Sequence, residues 1–217
     1  MGRFLISLIA VLIVGCNQIN KITSPSDSFI SSLDSKSNNS NPLNARNWQI
    51  VQGIGDVTPK NDSLGNLYFD WTNGLAQNYL WSTAVPKIIN NISISFNITG
   101  TGTLIPLESC SPNPPQVRLI LMTGRPYWSG DYDRWWSNLD FINLSAGSFS
   151  LSMSLNDPSR WSNVNGIFAT DALAGFNNAK NNVTGAGITF GNPCFFGHGV
   201  QSINGDARFA ITNFTVN

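Results

Sequence analysis

The chain has 217 residues, with twelve basic and twelve acidic side chains and a formal net charge of zero. No basic patch stands out, so nothing in the composition favours a nucleic acid as partner. One histidine and three cysteines, without close spacing between them, favour no metal site. Neither a metal nor another cofactor is therefore predicted from composition.

The first residues have the pattern of a secretory signal. Arg3 is followed by an apolar run from Phe4 to Val14. This run is too short for a membrane-spanning helix, which needs ~20 residues, but it fits the apolar part of a signal peptide. We therefore expect residues 1–15 to be removed from the mature protein.

The residues around Cys16 indicate how the mature protein is held. Ile13-Val14-Gly15-Cys16 resembles the bacterial lipobox, in which the signal is cut off before a cysteine that carries lipid. The resemblance implies a lipoprotein of the bacterial cell envelope, anchored in a membrane through Cys16. Asn17 in place of Asp implies the outer membrane, by the sorting rule of such lipoproteins, facing either the periplasm or the surface. An ordinary signal peptide with an unrelated cysteine is the alternative.

The segment after Cys16 has the composition of a flexible linker. Eight serines and six asparagines fill half of the 28 positions from 17 to 44. Such a segment has too little apolar surface to offset the entropy lost on ordering. The sequence therefore predicts a disordered tether over residues 16–44, followed by one domain over residues 45–217.

Two cysteines remain once Cys16 is set aside. Cys110 and Cys194 both lie in proline-containing, loop-like stretches. An even number of cysteines in an oxidising compartment favours a disulfide. We predict a bond between Cys110 and Cys194, with two buried free thiols as the alternative.

Alternation of apolar and polar residues predicts strands along the domain. Ile92–Thr99 alternates without exception, and Phe149–Leu155 alternates apolar residues with serine. Val117–Met122 is continuously apolar, as in a strand that is covered on both faces. Between Ile211 and Phe214 the apolar positions change parity, which predicts a β-bulge near Asn213.

One segment has helical spacing. Residues 170–180 carry apolar side chains at 172, 173, 176 and 179, and Thr170 or Asp171 is positioned to cap a helix. Strands with one helix predict an all-β fold: an antiparallel β-sandwich of jelly-roll type with one short helix. A closed barrel of eight strands is the alternative.

A cluster of aromatic and charged residues is the first candidate binding site. Its members are Trp128, Asp131, Tyr132, Asp133, Arg134, Trp135 and Trp136. Adjacent side chains on a strand point to opposite faces, so Trp135 and Trp136 diverge if they lie on one. We therefore expect at least one indole to reach the surface beside ionised side chains.

Such a cluster suits a carbohydrate, because an indole stacks on the C–H face of a sugar while charged and amide groups bind its hydroxyls. Three other interpretations stay open. Trp135 or Trp136 is a core residue, Arg134 pairs with Asp131 or Asp133, or these acids contribute to a structural calcium site. For the calcium site, the run of calcium-binding residues that is typical of an EF-hand is absent from this stretch.

His198, the chain's single histidine, is the second candidate. It lies between Gly197 and Gly199, which permit unusual backbone angles and close ligand approach. Near neutral pH it is suited to act as a general base, with a tyrosine such as Tyr132 as the acid. A hydrogen-bonded structural histidine is the alternative.

The order of these segments resembles a known class of domain. After a strand-rich start come the RPYWSGDYDRWWSN loop, FSLSMSL strand, DPSRWSNV turn, short helix, GITFG strand, FFGHGV loop and ARFAITNFTV strand. This order is similar to bacterial secreted β-sandwich domains of the galactose-binding-like and carbohydrate-binding-module kind. The resemblance covers residues 45–217 and rests on architecture. It implies a glycan or polysaccharide as the partner, without assigning single binding residues.

Three functions follow from these observations. The first is a lipid-anchored envelope protein that binds carbohydrate without catalysis. The second is a polysaccharide lyase or glycoside hydrolase that uses His198 with a tyrosine or an aspartate. The third is a structural lipoprotein of the envelope that docks a protein partner on a sheet face.

Overall fold

A computed structural model of the protein describes residues 41–51, 53–55, 57–123 and 133–217. The predicted signal peptide, the lipidation site Cys16 and most of the predicted tether lie outside these residues. Three candidate site residues, Trp128, Asp131 and Tyr132, lie outside them as well. No helix in the described ranges has the length and apolar character needed to cross a membrane.

The described residues form fifteen β-strands, one α-helix and two 3-10 turns. The strands are β1 Trp48–Val51, β2 Lys60–Asn61, β3 Leu67–Trp71, β4 Ala76–Gln77, β5 Tyr79–Ser82, β6 Asn91–Gly100, β7 Thr103–Pro106, β8 Gln116–Thr123, β9 Arg134–Ser137, β10 Ile142–Asn143, β11 Gly147–Ser154, β12 Trp161–Asn163, β13 Val183–Gly191, β14 Val200–Ile203 and β15 Ala207–Val216. Helix α1 spans Leu173–Asn181, and the 3-10 turns span Ala45–Asn47 and Pro158–Arg160.

These strands form three antiparallel sheets. The front sheet has seven strands in the order β1-β5-β13-β8-β9-β12, with β10 also paired to β8. The back sheet has five strands in the order β11-β6-β15-β3-β2, and a side sheet has the order β4-β14-β7. The predicted all-β sandwich with one helix is confirmed, and the two large sheets of the described chain stay open instead of closing into a barrel.

Aromatic side chains join the inner faces of the front and back sheets. Phe190 of β13 contacts Trp71 of β3, with ring centroids 5.0 Å apart, and Phe209 of β15, at 5.4 Å. All three rings are fully buried. Burial of large apolar side chains is the main contribution to the stability of such a core.

The strand patterns of the sequence are confirmed by burial and register. On β6 the alternate residues Ile92, Ile94, Phe96 and Ile98 face the core. On β8 nearly every residue is buried, as expected for a strand covered on both faces. The pairing of β15 with β6 shifts register between Ile211 and Asn213, which is the predicted β-bulge.

The helix is present but begins later than expected. Its N-cap is Ala172, which makes no side-chain capping bond, so the predicted cap at Thr170 or Asp171 is wrong. The reason is that Phe168 bridges to Ser162, and its carbonyl accepts the amides of Asp171 and Ala172. These bonds keep the preceding residues in a turn.

The folded region includes the last residues of the segment expected to be a tether. Leu43 is buried in the core. Its carbonyl accepts a hydrogen bond from Asn61 Nδ2 at 2.6 Å, and the Pro42 carbonyl accepts one from Trp48 Nε1 at 2.8 Å. Residues 41–44 are therefore packed against the domain.

Candidate functional site

The outer face of the front sheet carries a second, smaller apolar cluster. Ala186, Ile188 and Phe190 of β13 face the core, so Gly185 and Gly187 face outward. A Cβ on Gly187 would overlap the Leu80 carbonyl and the backbone of Trp81. Glycine on this strand therefore leaves room for large neighbours. We call them the outer cluster: Tyr79, Trp81, Ile120, Met122 and Trp136, with Val164 and Phe196 packed against them.

A cleft of about 540 Å³ opens beside the outer cluster. Its polar lining comes from distant parts of the chain: Asn78, Tyr79, Glu108, Arg134, Asn163 and His198. Three aromatic residues, Trp136, Phe195 and Phe196, complete the wall. This volume and mixed lining are typical of a small-ligand site.

Asn192 holds the loop that carries Phe195 and His198. Its side-chain Nδ2 donates to the carbonyl of Glu108 and to Asn113 Oδ1, both at 2.7 Å. Its Oδ1 accepts the amides of Cys194 at 2.9 Å and Phe195 at 2.7 Å. The buried amide of Asn192 is therefore the main polar anchor of this side of the cleft.

The predicted disulfide between Cys110 and Cys194 is confirmed and ties the same loop to the chain after β7. Cys194 itself lines the cleft. A covalent bond and the Asn192 network therefore act together to fix the position of residues 192–199.

Gly197 and Gly199 have positive φ angles, of 73° and 101°. A Cβ on Gly197 would overlap the hydroxyl of Tyr79, and one on Gly199 would lie 2.5 Å from Asn78 Oδ1. The two glycines therefore let the loop approach the start of β5. His198 lies exposed between them, and its ring centroid is 5.3 Å from that of Phe195.

Arg134 and Tyr79 meet across the outer cluster. Arg134 Nη1 donates to the hydroxyl of Tyr79 at 3.2 Å, and the Arg134 guanidinium lies 5.6 Å from the ring centroid of Trp136. Burial raises the pKa of Tyr79, and the charge of Arg134 partly opposes that rise. Tyr79 is therefore a neutral phenol at physiological pH.

Arg118 supports the cleft from the middle of the front sheet. Its guanidinium lies between the rings of Phe196, at 3.8 Å, and Phe141, at 4.7 Å. Nη1 donates to the carbonyl of Ser137 at 3.0 Å. Burial lowers the pKa of Arg118 to about 10, while the charge of Asp140 acts in the opposite direction. The stacked cation holds Phe196 against the sheet.

The tryptophan pair divides between the two faces of β9, as the sequence predicted. Trp135 is fully buried in the core, where its ring centroid is 5.0 Å from that of Phe176. Trp136 faces the cleft but is only 4% exposed. Neither of these two indoles lies open at the surface, because both faces of β9 are covered. The expectation of one exposed indole in the cluster now concerns Trp128, which lies outside the described residues.

Some of the remaining predicted residues line the cleft and others do not. Arg134 and His198 line one cleft with Trp136, although many residues separate them in the chain. Asp133 is half-buried just before β9, and its carbonyl accepts the amide of Thr123 at 2.9 Å. Trp135 does not belong to the site.

The aromatic ring that is open to solvent in the cleft is Phe195, at 37% exposure. The sequence alone did not identify Phe195, Asn78, Glu108 and Asn163 as residues of the cleft. Two features of the sequence indicated a second apolar cluster on the outer face of the sheet. They are the alternating glycines of β13 and the paired phenylalanines before His198.

Several buried side-chain atoms of the residues that line the cleft have no hydrogen-bond partner among the described residues, and Trp136 Nε1, Asn163 Nδ2 and Asn78 Oδ1 are among them. Across the described part of the chain, no three His, Cys, Asp or Glu residues form a cluster that suits a metal ion.

A comparison with solved structures finds similarity to two proteins. One is a xylan-binding module, CBM15, with 10% identity and a TM-score of 0.37, covering 78% of this chain and 94% of that chain. The other is titled "CBM4 structure and function", with 14% identity and a TM-score of 0.34, covering 82% of this chain and 90% of that chain. No protein-family model and no curated protein matches the sequence.

Proposed function

We propose that the domain binds carbohydrate, without catalysis, in the cleft beside the outer cluster. The observation that carries this proposal is the combination, in one cleft, of an exposed ring, Phe195, with the polar side chains of Glu108 and His198. A sugar offers both an apolar C–H face and several hydroxyls. It therefore matches both kinds of surface at once.

The fixed loop favours binding of a rigid polar ligand. Asn192, the disulfide and the two glycines position Phe195 before a ligand arrives. A preformed site avoids the entropy that ordering a loop would cost on binding. In this proposal Phe195 supplies the stacking ring, and His198 and Glu108 contact hydroxyls at the rim.

The test is a glycan screen with the purified full-length chain, followed by calorimetry on Phe195→Ala. We expect Phe195→Ala to weaken binding by up to roughly tenfold, since an aromatic stacking contact contributes about 0.5–1.5 kcal/mol and 1.4 kcal/mol corresponds to a factor of ten. Leu64→Ala, which removes an exposed apolar side chain from the turn between β2 and β3, is the control. Absence of binding to every glycan of the panel would contradict the proposed function. Unchanged binding by Phe195→Ala would contradict the assignment of the site to this cleft.

A second candidate function rests on the titratable groups of the same cleft. His198 lines it together with Tyr79 and Glu108, the chain's single glutamate. A histidine base with a tyrosine acid is an arrangement that serves polysaccharide lysis. Turnover of a bound glycan that disappears in His198→Ala, while the melting temperature holds, would favour this function over simple binding.

We also propose that the protein is anchored in the outer membrane of a bacterial envelope through lipid on Cys16. The support is the lipobox-like sequence and the Asn17 that follows it. Metabolic labelling with a fatty-acid analogue should label the wild type and not Cys16→Ala. Asn17→Asp should move the protein to the inner membrane. Equal labelling of both proteins would remove the lipid assignment.

A further inference from the structure

We propose that the free edge of strand β11 is a self-association surface, on which β11 of a second copy of this chain pairs antiparallel and joins the two back sheets into one. No residue of β11 lines the cleft, so this surface is independent of the proposed function. Three features of β11 lead to it: backbone groups left without a partner, a register that matches the strand to itself, and a lack of charge.

Strand β11 lies at the end of the back sheet, where it pairs with β6 and with no other described strand. Edge strands of natural proteins usually carry a charged residue, a proline or a bulge that prevents further pairing. The eight residues of β11 include neither a charged side chain nor a proline. Their register with β6 continues without a shift from Gly147 to Ser154. The strand itself therefore has none of the usual features that block a second partner.

The hydrogen bond just after β11 shows which of its backbone groups point away from β6. The Leu155 amide donates to the Asn90 carbonyl at 2.7 Å, and these two residues continue the register of the paired strands. In an antiparallel ladder, hydrogen-bonded pairs alternate with pairs that are not bonded. The odd-numbered residues of β11 therefore bond to β6. The even-numbered residues with N–H and C=O groups on the free edge are Ser148, Ser150 and Ser152.

The contacts of β6 lead to the same assignment. Asn91 exchanges both of its backbone hydrogen bonds with Asn217, at 2.9 and 3.2 Å, so every second residue from Asn91 onward directs its backbone groups to β15. Ser95 is one of these residues, and it therefore stands opposite Ser150 in a pair that is not hydrogen-bonded through the backbone. Side chains are closest in such pairs, and the two hydroxyl oxygens are 2.8 Å apart.

One antiparallel register uses the outward groups of all three serines. With a twofold axis at Ser150, that residue stands opposite Ser150 of the second copy, and Ser148 stands opposite Ser152 of the second copy. Each opposed pair of this kind exchanges two backbone hydrogen bonds. The carbonyl of Ser154 already accepts a hydrogen bond from Trp161 Nε1 at 3.1 Å, so the free edge ends there. The unpaired stretch is therefore complementary to itself.

The side chains of β11 also suit a second copy of the same strand. In this register each outward serine meets another serine, and opposed hydroxyls form favourable cross-strand pairs. On the inner side, the half-buried ring of Phe149 stands opposite Leu151 of the second copy and gains an apolar neighbour. The chain has a formal net charge of zero, so two copies approach without net repulsion. An uncharged strand identical to β11 is therefore the partner that this edge fits.

The experiment is sedimentation velocity on the full-length chain in detergent, over about a hundredfold range of protein concentration. Ser150→Lys places two lysines opposite each other at the axis, and Ser150→Asp places two aspartates there. Like charges directly opposite destabilise an antiparallel pair, whereas opposite charges stabilise it. We expect the wild type to dimerise reversibly and each variant alone to associate about fivefold more weakly. An equal mixture of the two variants should associate as the wild type does.

Three results would overturn the inference: a wild type that stays monomeric, variants that dimerise as tightly as the wild type, or a mixture that does not recover association. The N-terminal segment is the same in all of these proteins, so association through it does not produce the expected difference. Ser150→Ala is the matched control, since it keeps both outward backbone groups and should dimerise like the wild type. Ser150→Pro removes the outward N–H without affecting the bonds to β6. It should weaken association with the melting temperature nearly unchanged, and undiminished association would contradict the role of the backbone edge.

Discussion

Replacing Asn192 with alanine tests whether one buried amide builds the loop side of the cleft. The side chain donates to Glu108 and Asn113 and accepts from Cys194 and Phe195, all within 2.9 Å. Each hydrogen bond contributes about 0.5–1.5 kcal/mol, and a buried group left unpaired costs more. All four partners belong to exposed residues, so water replaces part of what is lost. We expect Asn192→Ala to lower the free energy of unfolding by about 2–4 kcal/mol.

Urea unfolding followed by tryptophan fluorescence measures this change. Asn192→Asp keeps the acceptor for the two loop amides and loses the donor, so its loss of stability should be smaller. Asn156→Ala, at an exposed position, should stay within about 0.5 kcal/mol of wild type. A free energy of unfolding for Asn192→Ala within that same margin would refute the reasoning that this amide organises the loop.

Three further predictions concern the same part of the molecule. Replacing Cys110 and Cys194 with serine should cost up to about 4.5 kcal/mol in the chain-entropy model for a separation of 84 residues, measured by urea unfolding; a cost below 1 kcal/mol contradicts it. Gly197→Ala must place alanine at a φ of 73° and against the Tyr79 hydroxyl, so we expect a loss of at least 1–2 kcal/mol, and an unchanged melting temperature would argue against this packing. Burial raises the pKa of Tyr79, so its contribution to stability is complete below the unfolded value of about 10 and is lost as pH rises beyond it. Wild type should therefore lose stability more steeply than Tyr79→Phe above pH 10, and parallel curves would contradict the shift.

The fold could be predicted from the sequence because the alternation of apolar and polar residues along a strand is a local property. Ile92–Thr99 alternates apolar and polar residues, and that pattern requires only that one face of the strand meets a core. The parity change before Phe214 is equally local, and the bulge lies there. The helix start was misplaced because a bridge between Ser162 and Phe168 overrides the local capping signal.

Only part of the cleft could be predicted from the sequence, since its walls come from segments that are far apart in the chain. The sequence indicated Arg134, Trp136 and His198, and these lie together. It also indicated Trp135, which faces the core because β9 is covered on both sides. Asn163 gave no local signal, and Phe195 was indicated only as one of the paired phenylalanines before His198. Their place in the cleft depends on which strands pair and on how the loop before β14 is held.

The single histidine offers the most direct test of the central claim that glycan binds in this cleft. His198 gives one imidazole signal in an NMR spectrum of the tag-free protein, and that signal reports on the cleft alone. We predict that the tightest-binding glycan of the panel shifts this signal until it saturates. The dissociation constant from this titration should equal the one that calorimetry gives. A glycan that binds by calorimetry yet leaves the His198 signal unmoved, while shifting residues of the back sheet, would contradict the account.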